Sequence, residues 1–344
     1  MKSTYKKNIL DSLALDTNKC SENPMPEVLR IETTNACNNS CIFCGNRKMT
    51  RKINFIDEQI VHKALIQAYG MKIRKVQFYT IGEPFLHAEL PKFISMAKDI
   101  GFEYIFTNTN GGFLTKSLFK EVIEAGVSSI AFSINAINKK DYELIHGKDN
   151  FDGALDNLIW LNQYRHNGKH NFNLYVSFIK TKFTSYPENE IRKFFADKCD
   201  EVRIMNVQNI GGFLPEIDTL SVDNSDIFWH YEIPCRLLFK SVIVTCEGYL
   251  TACSVDFQNY LVYADLNTED MNISWNNDVM KNLRKRHLSG DVKNLICDNC
   301  ANNSIAQPLP LMHEYATEFN VARIVYPCET HERIDDWRSK NGNC

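Results

Sequence analysis

The sequence has no apolar run long enough to cross a membrane. Its longest apolar stretches, such as residues 130–134 and 242–244, are far shorter than the ~20 residues that a transmembrane helix needs. The Lys-rich start of the chain is interrupted by Asp11, Ser12 and Asp16, so it lacks the apolar core of a signal peptide. We therefore expect a soluble, cytoplasmic protein with no membrane partner.

The chain also lacks an excess of charge of either sign. Its 39 Lys and Arg residues against 42 Asp and Glu residues give a formal net charge of −3. Without a broad basic field, binding to nucleic acid or to an anionic membrane surface is disfavoured. A hydrophobic content of 44% with 24% charged residues excludes a disordered or collagen-like chain. A core of the size that this length allows needs no disulfides.

What the sequence does contain is an alternation of β and helical patterns. Apolar runs predict strands at 28–34, 76–80, 104–109, 129–134, 172–179 and 202–207. Helical patterns lie between them, at 57–69, from Pro91 to about Gly101, from Thr115 to just before Gly126, at 151–165 and at 188–198. The strands are almost continuously apolar, as in a parallel sheet that helices cover.

These six β/α units are too few to close an eight-unit barrel. We therefore predict an α/β fold, a partial (β/α)6 barrel, with its active site at the carboxyl ends of the strands. The predicted divisions are a lead-in at 1–26, the core at 27–212, a small C-terminal domain at 235–305 and a tail at 306–344.

The pattern changes in the predicted small domain. Two short β runs, 240–245 and 249–253, flank a turn at Glu247 and Gly248, which is typical of a β-hairpin. A helical pattern follows at 278–287.

The sequence has 12 cysteines, which in a long chain without an export signal indicate metal or redox chemistry. Cys37, Cys41 and Cys44 form C-x3-C-x2-C in a polar loop after the first strand. Three thiolates at this spacing can hold one face of an iron–sulfur cube and leave its fourth iron open to a small molecule. A closed zinc site needs a fourth ligand, and the nearest histidine, His62, lies on a predicted helix. Three unpaired loop thiols are the alternative, which the position at the catalytic end of the first strand disfavours.

Residues 30–44, RIETTNACNNSCIFC, resemble the signature of radical S-adenosylmethionine (radical SAM) enzymes. Phe43, the aromatic residue before the third cysteine, also matches that signature. Gly82, Glu83 and Pro84 resemble the family's Gly-Glu-Pro segment, which contacts the amino group of SAM. Residues 107–111, TNTNG, which include Asn108, resemble the T-N-G end of the family's third strand. Ser133 and Asn135, at the end of the fourth strand, resemble the polar pair near the SAM ribose and carboxylate.

The resemblance implies two cofactors at this site, a [4Fe-4S] cluster held by the three cysteines and SAM bound to its open iron. It implies reductive cleavage of SAM to a 5′-deoxyadenosyl radical, with an electron donor such as flavodoxin or ferredoxin. In that chemistry the protein excludes water and aims the radical at one C–H bond. The alternatives without a cofactor are that Glu83 is a solvated loop acid and that Ser133 or Asn135 caps the following helix.

A second set of cysteines lies in the predicted small domain: Cys235, Cys253, Cys297 and Cys300. Four thiolates suit a tetrahedral zinc site or a second, fully ligated [4Fe-4S] cluster, and spacing alone does not separate the two. The set resembles the SPASM/twitch extension of radical SAM enzymes. Because Ala306 stands where a full SPASM domain has its next cysteine, the resemblance implies the twitch form with one auxiliary cluster. That cluster would transfer electrons or be purely structural.

Several other residues are candidates for roles near the substrate. Cys246 and Cys328 are candidate hydrogen-atom donors, although most free cysteines are small buried hydrophobes. Arg203 and Lys180 are candidates to face the carboxylate of the substrate or SAM, or to form salt bridges at the sheet end. Two histidines, His146 and His166, are expected at the surface.

Three functions follow from these interpretations. The first is a radical SAM enzyme that dehydrogenates or epimerises a small molecule, such as a sugar or aminocyclitol, since the layout resembles aminocyclitol dehydrogenases. Only 36 residues precede Cys37, which we expect to be too few for a leader-peptide-binding domain. The alternatives are a radical SAM enzyme that modifies a peptide or protein and a non-catalytic zinc or iron–sulfur module.

Overall fold

The computed structural model describes residues 24–112, 115–168, 170–220, 233–302 and 307–318, together with residue 332. The strands are β1 (Val28–Ile31), β2 (Lys75–Phe78), β3 (Tyr104–Thr109), β4 (Ser129–Ser133), β5 (Asn173–Lys180), β6 (Glu201–Asn206), β7 (Ser241–Val244), β8 (Tyr249–Thr251) and β9 (Val262–Asp265). The helices are α1 (Glu58–Gly70), α2 (Leu90–Ile100), α3 (Lys116–Glu124), α4 (Lys139–His146), α5 (Phe151–Gly168), α6 (Glu188–Phe195), α7 (Leu237–Lys240), α8 (Met271–Trp275), α9 (Asp278–Ser289) and α10 (Ile296–Asn302). Among the described helices, none combines the length and the apolar character that a bilayer crossing requires.

All nine of these strands form one sheet, in the order β6-β5-β4-β3-β2-β1-β7-β8-β9. Strands β1 to β6 are parallel, as predicted. The sheet runs from an edge at β6 to an edge at β9 and does not close, so the α/β partial-barrel prediction is confirmed. The predicted hairpin also forms, because β7 and β8 pair antiparallel around Glu247 and Gly248. Strand β7 itself lies parallel to β1, so the second half of the chain extends the same sheet.

The predicted helix ends are confirmed where the sequence carries a specific end signal. Pro91 lies in the first turn of α2, and Gly101 ends that helix with a left-handed φ of 109°. Thr115 caps α3, since its side-chain oxygen accepts a hydrogen bond from the backbone N–H of Leu118. A proline has no N–H to leave unpaired at a helix start, and a glycine enters the left-handed region without a steric cost.

Five of these elements were not predicted: α4, α7, α8, α10 and β9. Asn138, rather than Ser133 or Asn135, caps α4, because its Oδ1 accepts from the backbone N–H of Asp141 at 2.9 Å. The surface position predicted for His146 is wrong, because its side chain is 1% exposed. The last turn of α4 packs against the cysteine loop, whose Ser40 N–H donates to the His146 carbonyl at 3.0 Å. The surface prediction for His166 is confirmed.

A buried arginine joins the first cysteine loop to the β7–β8 turn. The Nη2 atom of Arg51 lies 2.6 Å from a carboxylate oxygen of Glu32 and 2.6 Å from one of Glu247. Burial alone would lower the pKa of Arg51, but the charges of Glu247 and Glu32 raise it well above its usual value. A second contact joins the same two segments, since the Asn54 side chain donates a hydrogen bond to the backbone carbonyl of Cys246 at 2.7 Å.

Replacing the buried arginine should destabilise the fold. In Arg51→Met the Glu32 carboxylate stays buried without its cation, so we expect the free energy of unfolding to fall by about 3 kcal/mol. Urea unfolding of the cluster-loaded protein, under anaerobic conditions, measures this change. The control is Lys92→Gln, which removes a cation whose side chain is 48% exposed and should change stability little. Equal effects of the two substitutions would show that the Arg51 contacts do not stabilise the fold.

Candidate active site

The loop that follows β1 brings Cys37, Cys41 and Cys44 together. The backbone N–H of Cys44 donates to the Cys41 carbonyl at 3.0 Å, which closes a tight turn between these two cysteines. Each side chain keeps some exposed surface, yet desolvation raises the pKa of all three thiols. The charges of Cys44 and Cys37 raise the pKa of Cys41 further. Three crowded soft donors of this kind fit an iron–sulfur cluster that takes three cysteine ligands, since a bound metal favours their thiolate forms.

The Gly-Glu-Pro segment after β2 lies directly against this loop. A Cβ atom on Gly82 would lie 2.0 Å from the carbonyl oxygen of Thr34 and 2.7 Å from that of Ala36, so only glycine fits. The next backbone N–H, of Glu83, donates to the Ala36 carbonyl at 2.7 Å. Pro84 follows in the first turn of a 3-10 helix, Pro84–Leu86. The segment is therefore a packing surface for the cysteine loop as well as a source of Glu83.

Glu83 is a buried carboxylate rather than a solvated loop acid. Its side chain is 3% exposed and accepts hydrogen bonds from the backbone N–H of Asn110 at 2.7 Å and of Phe85 at 3.2 Å. Burial raises the pKa of Glu83 to about 7, although those hydrogen bonds oppose the rise. A cation beside it would favour the ionised form, which suits the predicted contact with an ammonium group.

Asn110 is a residue of the site that was not predicted from the sequence. Its Nδ2 donates to Asn38 Oδ1 at 2.7 Å, and its backbone N–H binds Glu83. It also hydrogen-bonds the Cys37 side chain. The available signal was its place just beyond the carboxyl end of β3, where side chains meet the active site of such a sheet. Asn108, the predicted residue, lies within β3 and borders the central cavity instead.

His146 is the second residue that was missed. Its Nδ1 lies 3.4 Å from Cys41 Sγ, and its Nε2 accepts from the backbone N–H of Asn135 at 3.4 Å. The ring stacks on Tyr142 with centroids 4.0 Å apart. Burial lowers the pKa of His146 to about 3, so the ring is neutral at physiological pH. Asn135 belongs to the same network and accepts from the Ile179 N–H at 2.7 Å.

A central cavity of about 280 Å³ lies inside the curve of the parallel sheet. Ser133 and Asn108 border it, as does Arg203, whereas Lys180 and Asn135 are not among its described lining residues. Phe43 packs instead in a separate apolar cluster with Ile179, Ile210, Val207, Leu214, Ile217 and Leu220. The roles predicted for these residues toward SAM remain predictions.

The second set of cysteines surrounds one apolar cavity. Cys235, Cys253, Cys297 and Cys300 all line it. Burial raises the pKa of the Cys253 and Cys297 thiols, and the charge of Cys235 raises both further. Four thiols around one apolar space fit a fully ligated cluster. Two residues, Leu237 and Val255, line both this cavity and the central one.

The two candidate hydrogen-atom donors are placed differently. Cys246 is 2% exposed, and its sulfur accepts from Arg51 Nη2 at 3.3 Å. It is not among the described residues that line the central cavity. Cys328 and the position of Ala306 lie outside the described residues.

Two family models match the chain in separate segments. One, described as the Radical SAM superfamily, matches residues 31–179, and one, described as an iron–sulfur cluster-binding domain (SPASM), matches residues 235–301. The first segment contains the three-cysteine loop and Glu83, and the second contains the four-cysteine set. The chain belongs to the radical SAM superfamily. This radical SAM enzyme has SAM and a [4Fe-4S] cluster as cofactors, with auxiliary iron–sulfur binding in its SPASM segment, and these predictions are confirmed.

Its similarity to individual proteins is distant. An S-adenosyl-L-methionine-dependent 2-deoxy-scyllo-inosamine dehydrogenase from Niallia circulans is 23% identical over 81% of this chain and 94% of its own length. A GTP 3′,8-cyclase from Chlorobaculum tepidum is 30% identical, over 39% of this chain and only 41% of its own length. The crystal structure of Streptococcus suis SuiB bound to precursor peptide SuiA shares the fold, with a TM-score of 0.60 at 15% identity over 76% of this chain and 68% of SuiB.

The two cysteine sets should load iron independently. The wild-type enzyme, reconstituted anaerobically, should contain about eight irons per chain, the content of two [4Fe-4S] clusters. Replacing Cys37, Cys41 and Cys44 by Ala should leave about four, as should replacing the second set, because each set lines its own site. Iron and sulfide analysis measures this. One zinc per chain at the second site would contradict a twitch-type auxiliary cluster.

Gly82→Ala should disturb the first cluster selectively. The added Cβ would overlap the Thr34 carbonyl, so the cysteine loop must move and we expect iron content to fall from about eight to about four. The matched control is Gly153→Ala in α5, where a Cβ meets nothing within 4 Å and should slightly stabilise the helix. Full iron loading of Gly82→Ala would mean that the close packing does not hold the loop.

Proposed function

We propose that this enzyme removes a hydrogen atom from a polar small molecule, such as a sugar or cyclitol, and dehydrogenates it. The observation that carries the proposal is the shared wall between the two cavities, since Leu237 and Val255 border both. Dehydrogenation removes a second electron from the substrate, so a redox-active site next to the substrate cavity favours it over epimerisation. The similarity to an aminocyclitol dehydrogenase, which extends over 81% of this chain, supports the same reaction class.

When bound, SAM and the iron–sulfur clusters supply hydrogen-atom abstraction and one-electron redox chemistry. The chain's own residues bind and orient the reactants. Glu83 is held by the Asn110 and Phe85 N–H groups at a position that suits the ammonium of SAM. Ser133 and Asn108 present polar groups to the central cavity.

Cys246 fits a structural role better than hydrogen-atom donation. Its sulfur faces Arg51, and burial raises the pKa of its thiol well above the usual value, with further contributions from Glu247 and Glu32. This placement supports dehydrogenation, in which no hydrogen atom is returned to the substrate. An external electron donor such as flavodoxin or ferredoxin and a cytoplasmic location remain part of the proposal.

The test is anaerobic incubation of the reconstituted enzyme with SAM and dithionite. Wild type should release 5′-deoxyadenosine, and the triple variant of Cys37, Cys41 and Cys44 should not, because it cannot hold the first cluster. Cys246→Ala should release it at nearly the wild-type rate. A fully loaded wild-type enzyme that releases none would refute the proposal. With substrate, a product two hydrogens lighter indicates dehydrogenation, whereas an isomer or a modified peptide would contradict it.

A further inference from the structure

Three arginines from separate parts of the chain border the central cavity. Arg30 comes from β1, Arg203 from β6, and Arg236 from the residue before α7. The described lining residues include no Asp, Glu or Lys; the others are apolar or neutral polar groups. Arg203 and Arg236 each make a further contact within the chain, so the charge to be explained is that of Arg30.

Arg30 is the informative member of this set. Its side chain is 7% exposed, its Nε has no hydrogen-bond partner, and no carboxylate in the described ranges pairs with it. Two other buried arginines in the same chain are paired with carboxylates, Arg51 with Glu32 and Glu247, and Arg165 with Asp200. A third, Arg284, donates to the Leu238 carbonyl at 2.9 Å and lies over the Trp275 ring, whereas no such contact is found for Arg30 among the described residues. A buried cation is costly unless an anion accompanies it, so the exception needs an explanation.

The strand register shows where the unpaired cation points. The neighbours of Arg30 in β1, Leu29 and Ile31, are fully buried in the main core. Because side chains alternate along a strand, Arg30 points to the opposite face, where it borders the cavity. On the far side of that cavity, Ser133, Ser177 and Arg203 lie side by side in the register of β4, β5 and β6.

We propose that the substrate carries an anionic group, a carboxylate or a phosphate, that binds at Arg30 together with Arg203 and Arg236. Guanidinium groups bind both kinds of anion with paired, charge-assisted hydrogen bonds, and hydroxyls such as Ser133 and Ser177 add donors. The inference rests on the proposed function and narrows it to an acidic or phosphorylated sugar or cyclitol. An unmodified amino sugar would bring a like charge to this wall.

Two other anions compete for these arginines. One is the carboxylate of SAM, which could bind at the same guanidinium groups. Arg30 and Arg236 also act on the second cysteine set, since their charges oppose the rise in the pKa of Cys235 that burial causes. The experiment must therefore separate substrate binding from SAM binding and from auxiliary-cluster binding.

The test is calorimetric titration of the cluster-loaded, unreduced enzyme, saturated with SAM. The probes are glucose 6-phosphate, glucuronate, glucose and glucosamine. We expect at least one of the two anionic probes to bind about tenfold or more tightly than the neutral and cationic ones, and the tighter anion identifies phosphate or carboxylate. Arg30→Gln and, separately, Arg203→Gln should weaken that probe about 10- to 100-fold, and Arg30→Lys should recover part of the loss.

The control is Arg192→Gln, which removes a surface arginine whose side chain is 52% exposed and should leave the affinity unchanged. Iron content and SAM affinity are measured for every variant, so that a misfolded or cluster-depleted protein is recognised. The proposal is overturned if the four probes bind alike or not at all, or if Arg30→Gln weakens only SAM binding or cluster loading. Since no reductant is present, failure of radical chemistry would not affect the result.

Discussion

The chemistry of the site depends on three cysteine thiols that one loop after β1 brings together. In the bare chain this arrangement is unfavourable for thiolates, because desolvation raises the pKa of Cys37, Cys41 and Cys44, and repulsion between the cysteines raises that of Cys37 and Cys41 further. Among their described neighbours, a buried carboxylate, Glu83, adds to the repulsion at Cys37. The site thus favours a metal that converts all three thiols to ligands and, at Glu83, a cation from the small molecule at the open iron.

Contacts from neighbouring elements position the cysteine loop. Gly82 packs against its backbone, Asn110 joins Asn38 to Glu83, and His146 contacts Cys41 from α4. These contacts are backbone-directed or neutral, so they add no positive charge that would compete with the metal. Alanine at position 82, or a charged residue at position 146, would change the position of the cysteine loop without removing a cysteine ligand.

The sequence was sufficient for the two cysteine sets and for the six parallel strands with most of the helices between them, because those follow from local spacing, apolar runs and end signals such as Pro91, Gly101 and Thr115. It was not sufficient for contacts between distant segments. Arg51 meets Glu247 across 196 positions, and no local pattern relates the two. His146 lacked a signal for a similar reason, since it ends a short helix whose buried face packs on distant segments, the cysteine loop and α5.

Strand β7 explains how two cluster sites keep a fixed separation in one chain. Its four residues pair in parallel register with β1, from Val28 opposite Ser241 to Ile31 opposite Val244. The first cysteine loop follows β1, and the second set begins just before α7, which leads directly into β7. Backbone hydrogen bonds within one sheet therefore connect the first cysteine loop to Cys235, whereas Cys297 and Cys300 come from α10. A slip of one residue in this register would turn Arg30 away from the cavity and shift both cysteine sets, so the anion site and the two cluster sites depend on the same strand pair.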